Sequence, residues 1–238
     1  MLSYTVKVNR RLKHPRLTML ADGRLIVQVP PGFDTSRIES LVQGKSSWIQ
    51  ASRRQLNASH AAHGPGHSDM IPRQLVLHSV DEVWSLSYDE RQCGHVEARE
   101  SGTRSLQLSG EVSHHPSVHD VLRAWLKQKA FRELVPWIER LADRHEFRYS
   151  GATVRHQKTR WGSFSSQGRV SLNMKLLFLP PHLVTHVLLH ELCHSVHPDH
   201  SRDFWRLLER HDPLCDRHRQ EIRLAGRYVP LFVDLALY

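Results

Sequence analysis

A histidine-rich segment in the last third of the chain carries the residue types of a metal centre. Residues 190–194 read HELCH, an HExxH sequence, and His200 follows six residues later. Two histidines four apart on a helix point the same way, because four residues make just over one turn. We therefore expect His190, His194 and His200 to bind one ion, with Glu191 near it but not a ligand.

This ligand set predicts a catalytic rather than a structural site. Three protein ligands leave a fourth position for water, and a zinc ion lowers the pKa of such a water to about 7. Glu191 can then take the proton from the water and deliver it to the leaving group. The sequence thus predicts one Zn²⁺ per chain and a hydrolase, most naturally one that cleaves peptide bonds.

The surrounding residues predict the elements that position these side chains. A helix begins at Pro180-Pro181 and ends before Pro198, and the bend there lets His200 turn back towards the ion. Ser201 is a plausible N-cap for the next helix. The apolar positions at helical spacing are Leu183, Val184, Val187, Leu188, Leu192, Cys193 and Val196.

Four histidines form a stripe at spacing four, so more than one pair could bind a metal by geometry. They are His182, His186, His190 and His194. Only the last pair has a glutamate after its first histidine and a third histidine nearby. For His182 and His186 we expect a partly exposed helix surface without metal.

Composition bounds the class of protein. The 238 residues are 39% hydrophobic and 24% charged, which is typical of a soluble globular protein. Three cysteines argue against a disulfide framework and favour free thiols in a reducing cytoplasm. Neither a signal peptide nor an apolar run of about 18 residues is evident, which also favours the cytoplasm and predicts no membrane partner.

The formal charge of +9 is partly local. Five of the positive charges precede any acidic residue: Lys7, Arg10, Arg11, Lys13 and Arg16. They could mark a nucleic-acid-binding patch or simply a solvated strand edge protected from aggregation. Both interpretations stay open, beside a protein or peptide substrate as the expected partner.

The predicted fold is α+β in two domains. Residues 1–112 form a mostly-β unit with one helix, from Asp34 or Thr35 to about Asn57. A loop at 58–69 contains His60, His63 and His67. Strands are predicted at 3–8, 24–29, 73–88, 95–99 and 104–112.

Residues 113–238 form the second predicted domain. A long helix from His119 to about His145 is kinked or split at Pro136. A hairpin follows, with strands at 152–157 and 170–176. The metal helix is expected to pack beside this short antiparallel sheet.

The hairpin and its loop supply candidate substrate-binding residues. Asn173 lies on the polar face of the second strand, which could hydrogen-bond an extended peptide or be an ordinary amphipathic surface. The loop at 156–163 contributes Lys158, Arg160 and Trp161. Its cations could stabilise developing negative charge or merely be exposed.

Several motifs follow one another between residues 156 and 205. They are KTRWGS at 158–163, VSLN at 170–173, LPP at 179–181, the HELCH sequence, and His200-Ser201 with Phe204-Trp205. In this order they resemble the YgjP-like predicted metal-dependent hydrolases, which are similar to the SprT-like and Wss-type zinc peptidases.

The resemblance implies a zincin-like catalytic domain with His190, His194 and His200 as ligands and Glu191 as catalyst. Two positions depart from the family pattern. Phe164 stands where a cysteine usually follows the Trp-Gly-Ser, and Asp199 where an asparagine often precedes the third histidine. Asp199 could still orient a ligand from outside the coordination sphere.

Three functional hypotheses result. The leading one is a zinc-dependent metallopeptidase. The second keeps the metal but cleaves phosphoesters or nucleotides, with Lys158 and Arg160 on phosphate. The third is a non-catalytic binding protein in which zinc only stabilises the fold.

Overall fold

The computed structural model describes residues 4–10, 12, 14–19, 25–50 and 71–234. These residues combine three small β-sheets with helices, so the predicted α+β class is confirmed. Among the described helices, none has both the length and the apolar character needed to cross a bilayer.

The first sheet has three strands. They are β1 (Tyr4–Val8), β2 (Arg16–Met19) and β3 (Leu25–Val29), in the order β1-β3-β2. β1 runs parallel to β3, and β2 antiparallel to it. The predicted strands at 3–8 and 24–29 are confirmed, whereas β2 was not predicted.

The first helix is shorter than predicted. The Asp34 carboxylate accepts a hydrogen bond from the Ser36 backbone N–H at 3.0 Å, so Asp34 is the N-cap of a 3₁₀ turn. α1 (Ile38–Gln43) follows and stops at Gly44, after which residues 46–50 are helical again. The predicted end of the helix and the histidine-containing loop at 58–69 lie outside the described residues.

The second sheet has four strands in the order β4-β5-β7-β6. They are β4 (Gln74–Leu77), β5 (Glu82–Glu90), β6 (Val96–Glu100) and β7 (Ser105–Gly110). The strand predicted at 73–88 is wrong as one element, because a 3₁₀ turn at His78–Val80 divides it and Asp81 adopts a left-handed conformation.

A long helix, α2 (His115–Arg144), crosses behind this sheet and the next one. It begins earlier than predicted because Pro116 occupies its first turn, where a missing N–H costs nothing. Pro136 lies inside the helix without splitting it. α2 buries one face against β6 and β8.

The third sheet is mixed, and the predicted antiparallel sheet is wrong in this respect. β8 (Gly151–Arg155) pairs in parallel with β10 (Arg169–Asn173), and the hairpin is formed by β9 (Gly162–Phe164) and β10. The order is β8-β10-β9. The segment after the first predicted strand thus runs back as β9, whose edge is unpaired among the described strands.

β10 also ends sooner than the alternating pattern predicts. The Asn173 side chain accepts a hydrogen bond from the Lys175 backbone N–H at 3.2 Å. This cap starts a 3₁₀ helix over Met174–Phe178, whose residues are all buried. The apolar alternation continues past the strand because both faces of the 3₁₀ helix are enclosed.

Four further helices complete the fold. They are α3 (Pro181–Cys193), α4 (Arg202–His211), α5 (Cys215–Ile222) and α6 (Leu231–Asp234). α3 contacts α4, α5, α2 and β9. The HExxH helix is therefore enclosed on several sides.

Among the described residues, the buried side chains form two clusters, a small core and a large one. The first sheet and α1 share a small cluster: Leu25, Val27, Val29, Ile38, Val42 and Ile49. The second sheet, by contrast, belongs to the same large cluster as α2, the third sheet and α3. On this packing we propose a domain boundary between Gln50 and Ile71, in place of the boundary predicted after residue 112.

An ion pair between the buried Lys175 and the partly exposed Asp234 joins α6 to the segment after β10. Lys175 Nζ lies 2.5 Å from Asp234 Oδ1, and the Lys175 side chain is 5% exposed. Burial alone would raise the pKa of Asp234, but hydrogen bonding from His156 and the charge of Lys175 lower it. The pair thus joins the C-terminal helix to the base of the 156–161 loop.

Replacing Asp234 with asparagine should lower the free energy of unfolding at pH 7 by about 1–2 kcal/mol. It leaves the Lys175 ammonium buried without a counter-charge, but solvent at the partly exposed Asp234 reduces the loss. The folded pKa lies below the usual 3.8, so this contribution is complete above that pH and is lost as the pH falls through the folded pKa. Denaturant titration of both proteins at several pH values measures it.

Asp203→Asn is the matched control, since Asp203 pairs with Arg206 on an exposed surface. It should cost less than about 0.5 kcal/mol. Equal losses in the two variants would contradict the stabilising role assigned to the Lys175–Asp234 pair.

Candidate metal centre

The HExxH helix delivers two imidazoles to one point. Its first turn contains Pro181, and its last residue is Cys193, with His194 as the C-cap. The rings of His190 and His194 lie 5.0 Å apart between centroids. After the helix the chain turns, as predicted, and His200 comes back over the same end.

The structure brings the three predicted ligands together. The His200 ring centroid is 5.0 Å from that of His190 and 4.8 Å from that of His194. One donor nitrogen from each ring lies within 4.8 Å of the other two, and His190 Nε2 is 3.0 Å from His200 Nε2. Three nitrogen donors at these separations fit a single divalent cation.

Neighbouring groups fix the orientation of the rings. His194 Nδ1 lies 3.0 Å from the carbonyl oxygen of His197, so Nδ1 carries the proton and Nε2 is free to bind a metal. The Trp205 indole N–H donates to the carbonyl of His200 at 3.1 Å. Phe204 is fully buried and packs within 5 Å of all three rings.

The protonation states suit metal binding. Burial, reinforced by the nearby histidines, lowers the pKa of His190 to about 3. Burial also lowers the pKa of His194. Both imidazoles are therefore neutral at physiological pH, and a neutral imidazole is the form that ligates metals.

Glu191 is 5% exposed and lies between α3 and β9. Burial raises the pKa of its carboxyl to about 8, against the opposing effect of Arg160. A cation held by the three histidines would favour the carboxylate, since an opposite charge nearby lowers a carboxyl pKa. Its surroundings thus place the group where it can exchange a proton near neutral pH.

Gly162 in β9 makes room for Glu191. A Cβ atom at residue 162 would lie 2.7 Å from Glu191 Oε1 and 2.8 Å from Cγ. No side chain fits there without displacing the carboxylate. The glycine of the Trp-Gly-Ser motif therefore allows the strand backbone to lie against the Glu191 side chain.

A cleft of about 990 Å³ opens over this site. One wall comes from residues 148–150 and from β9 with the turn after it, up to residue 168. His190, Glu191, His194 and His200 form the other side. The cleft is thus long enough to extend along the edge of β9 and past the histidines.

The predicted substrate-binding residues lie in different places. Arg160 is exposed and lines the cleft, and its charge acts on Glu191. Lys158 is exposed outside the cleft lining, and Trp161 is half-buried and packs against the large core. Of these three, Arg160 alone reaches the site.

Asn173 is 1% exposed, and its amide group is fully engaged. Its Nδ2 donates to the carbonyls of Gln157 at 2.8 Å and Arg160 at 2.7 Å. We therefore propose that Asn173 holds the 157–160 loop, in place of the predicted contact with substrate.

Asp199 is exposed, and its carboxylate accepts a hydrogen bond from the Ser201 backbone N–H at 3.2 Å. The group that orients a ligand ring is the His197 carbonyl rather than this side chain. Asp199 acts on His194 through its charge, which raises the pKa of that imidazole.

The prediction of an exposed stripe is wrong for His186, which is 4% exposed. His186 Nδ1 lies 2.6 Å from Asp212 Oδ2. His182 is exposed, as expected, and pairs with Glu221. The four-residue spacing correctly predicts that His186 lies on the same helix as His190. Its partner Asp212 is 26 residues away in the sequence, so the pattern does not reveal it.

The sequence comparisons agree with this arrangement. The model of the YgjP-like, metallopeptidase domain family matches residues 13–225. The chain belongs to this family. The match covers the small core, most of the large one and all four residues of the centre, and it implies a metal-dependent hydrolase. No curated protein and no solved structure matches the chain.

Replacing Gly162 with alanine should lower kcat for peptide hydrolysis by about 100-fold, because the new methyl group displaces the Glu191 carboxylate by a fraction of an ångström or more. The zinc content should stay at the wild-type level, since the histidines are untouched. Steady-state kinetics with metal analysis measures both.

Gly226→Ala is the control, because a Cβ at that position meets no atom within 4 Å. It should leave kcat unchanged. Full activity in the Gly162 variant would show that Glu191 does not depend on this contact.

Proposed function

We propose that the protein is a zinc-dependent metallopeptidase with a zincin-like catalytic domain, in which His190, His194 and His200 hold one catalytic Zn²⁺. The observation that carries the proposal is the convergence of three imidazoles and a buried carboxylate in one open cleft. Membership of a metallopeptidase family supports the same chemistry.

When bound, the zinc ion would polarise the scissile carbonyl and make a water acidic enough to attack it at neutral pH. The protein supplies the remaining functions. Glu191 takes the proton of the attacking water and passes it to the leaving amine. Burial raises the pKa of this carboxyl, and the cation would favour its ionised form, which is the form that accepts the proton of the water.

Substrate binding is assigned to β9 and Arg160. β9 is the edge strand of its sheet, so its outer backbone groups can pair with an extended peptide as an added strand. Gly162 lies in that strand and also touches Glu191, so a peptide paired there passes close to the base. Arg160 at the rim can stabilise the negative charge that develops on the carbonyl oxygen.

The expected partner is accordingly a protein or peptide.

All three cysteines are free thiols, which supports a reducing compartment and hence the cytoplasm. Nucleic-acid association through the basic N-terminal residues stays a prediction, because Arg11 and Lys13 fall outside the described residues.

Replacing Glu191 with glutamine should abolish peptide hydrolysis, with a loss of at least about 10²–10⁴-fold in kcat, because glutamine cannot accept the proton. Zinc content and thermal stability should stay close to the wild type. A panel of unstructured peptides and a panel of phosphodiesters and nucleotides, assayed with both proteins, measures the activity.

Glu209→Gln, on an exposed part of α4, is the matched control and should keep full activity. If the wild type hydrolyses phosphodiesters but no peptide, and the Glu191 variant loses that activity, the protein is a phosphoesterase rather than a peptidase. No activity on either panel, with His194→Ala unfolding the protein, would indicate a zinc-stabilised binding protein.

A further inference from the structure

A second group of metal-ligating side chains lies one helical turn before the HExxH histidines. His186, Asp212 and His218 each offer one donor atom, and these atoms lie within 4.8 Å of one another. The donors of the catalytic histidines meet the same criterion. The two groups share helix α3 but have no residue in common.

The two histidines of this cluster point at the same oxygen. His186 Nδ1 lies 2.6 Å and His218 Nδ1 3.0 Å from Asp212 Oδ2. Donors around a tetrahedral zinc are about 3.3 Å apart, given metal–ligand distances near 2.0–2.2 Å. The cluster would therefore accept an ion after its donors separate by about 0.3–0.7 Å, a change that side-chain rotation can supply.

Burial separates this cluster from ordinary surface pairs. The exposed fractions of the three side chains are 5%, 8% and 11% for His186, Asp212 and His218. Within the described residues, the ion pairs of Asp212 involve these histidines and no lysine or arginine. The two imidazoles give the buried carboxylate hydrogen bonds, but no lysine or arginine supplies it with a counter-charge.

We propose that His186, Asp212 and His218 form a second metal site, which burial rather than a fourth protein ligand closes to substrate. Two imidazoles and one carboxylate are a donor set that binds zinc and similar divalent transition metals. The ion would neutralise the buried carboxylate, and each imidazole would ligate through Nδ1 with its ring proton on Nε2.

The site would fasten three elements that support the catalytic centre. His186 belongs to α3, Asp212 caps the end of α4, and His218 belongs to α5. α4 also carries the Phe204 and Trp205 contacts to the catalytic histidines. The second metal would therefore fix the position of α3 relative to α4. α4 is the helix whose Phe204 and Trp205 contact His200, the third histidine of the catalytic centre.

A route for the ion lies on the exposed side. His182 is exposed, its ring lies 5.1 Å from that of His218, and its Nε2 is 2.8 Å from Glu221 Oε2. This imidazole–carboxylate pair can bind an incoming ion before it passes to the buried donors. The site is otherwise enclosed, which excludes substrate and distinguishes it from the catalytic centre.

Zinc counting tests the proposal on the full chain. Protein saturated with zinc is dialysed against a weak chelator, and the retained zinc is measured by mass spectrometry. We expect two equivalents in the wild type, one in His190→Ala/His194→Ala, one in Asp212→Asn/His218→Asn, and none when all four substitutions are combined. His145→Asn/His211→Asn alters a histidine pair outside both clusters and should keep two.

One equivalent in the wild type and none in His190→Ala/His194→Ala would overturn the proposal and leave the cluster a hydrogen-bonded contact. Zinc retained by the four-fold variant would also overturn it, because the ion would be bound elsewhere. If Asp212→Asn/His218→Asn fails to fold, the counts for the other two proteins still decide. One wild-type equivalent that Asp212→Asn/His218→Asn removes would instead uphold this site and contradict the proposed catalytic one.

Discussion

Neutral imidazole nitrogens that face one another repel unless a proton or a cation lies between them. His190 Nε2 and His200 Nε2 are nevertheless 3.0 Å apart, and His194 completes the triangle. A neutral ring can relieve this crowding by placing its single N–H between the two nitrogens as an N–H···N hydrogen bond. A divalent cation held by the three rings, as proposed above, would turn it into an attraction. Burial lowers the pKa of His190 and His194 and so favours the neutral form that can ligate a metal.

The elements around the three histidines hold their imidazole rings in place. α3 supplies two imidazoles at helical spacing, and α4 holds the third through the Trp205 hydrogen bond to the His200 carbonyl. On the other side, β9 lies so close to α3 that only glycine fits beside Glu191. The loop before β9 is held by the buried Asn173 amide. α3 thus carries Glu191 and two of the three histidines, and α4 and β9 pack against it to position His200 and the Glu191 carboxylate.

Local signals in the sequence correctly predicted that His190, His194 and His200 lie close together. The spacing of His190, Glu191 and His194 defines one helix face, and Pro198 marks the bend that returns His200. The long helix and the strands with clear alternation were also predictable, because each depends on residues close together in the chain. The parallel pairing of β8 with β10 was not, since alternation reveals a strand but not its neighbour or its direction.

Contacts between distant residues explain the other differences. Asn173 looked like a polar residue on an exposed strand face, but the returning loop covers it. His186 looked like one of a surface stripe, yet Asp212 and His218 enclose it from 26 residues and more along the chain. The space that Glu191 requires at Gly162 is likewise visible only once β9 lies against α3. In each case the deciding partner belongs to another element, so no local pattern could name it.

The most direct measurement is the anomalous scattering of crystals at the zinc absorption edge, from protein purified without chelators. The account predicts a peak bound by the Nε2 atoms of His190, His194 and His200 at about 2.0–2.1 Å, with no fourth protein ligand and with the cleft open beside it. A crystal with no peak between these rings would contradict the central claim. So would a peak there that carries a fourth protein side chain, because that would be a closed structural site.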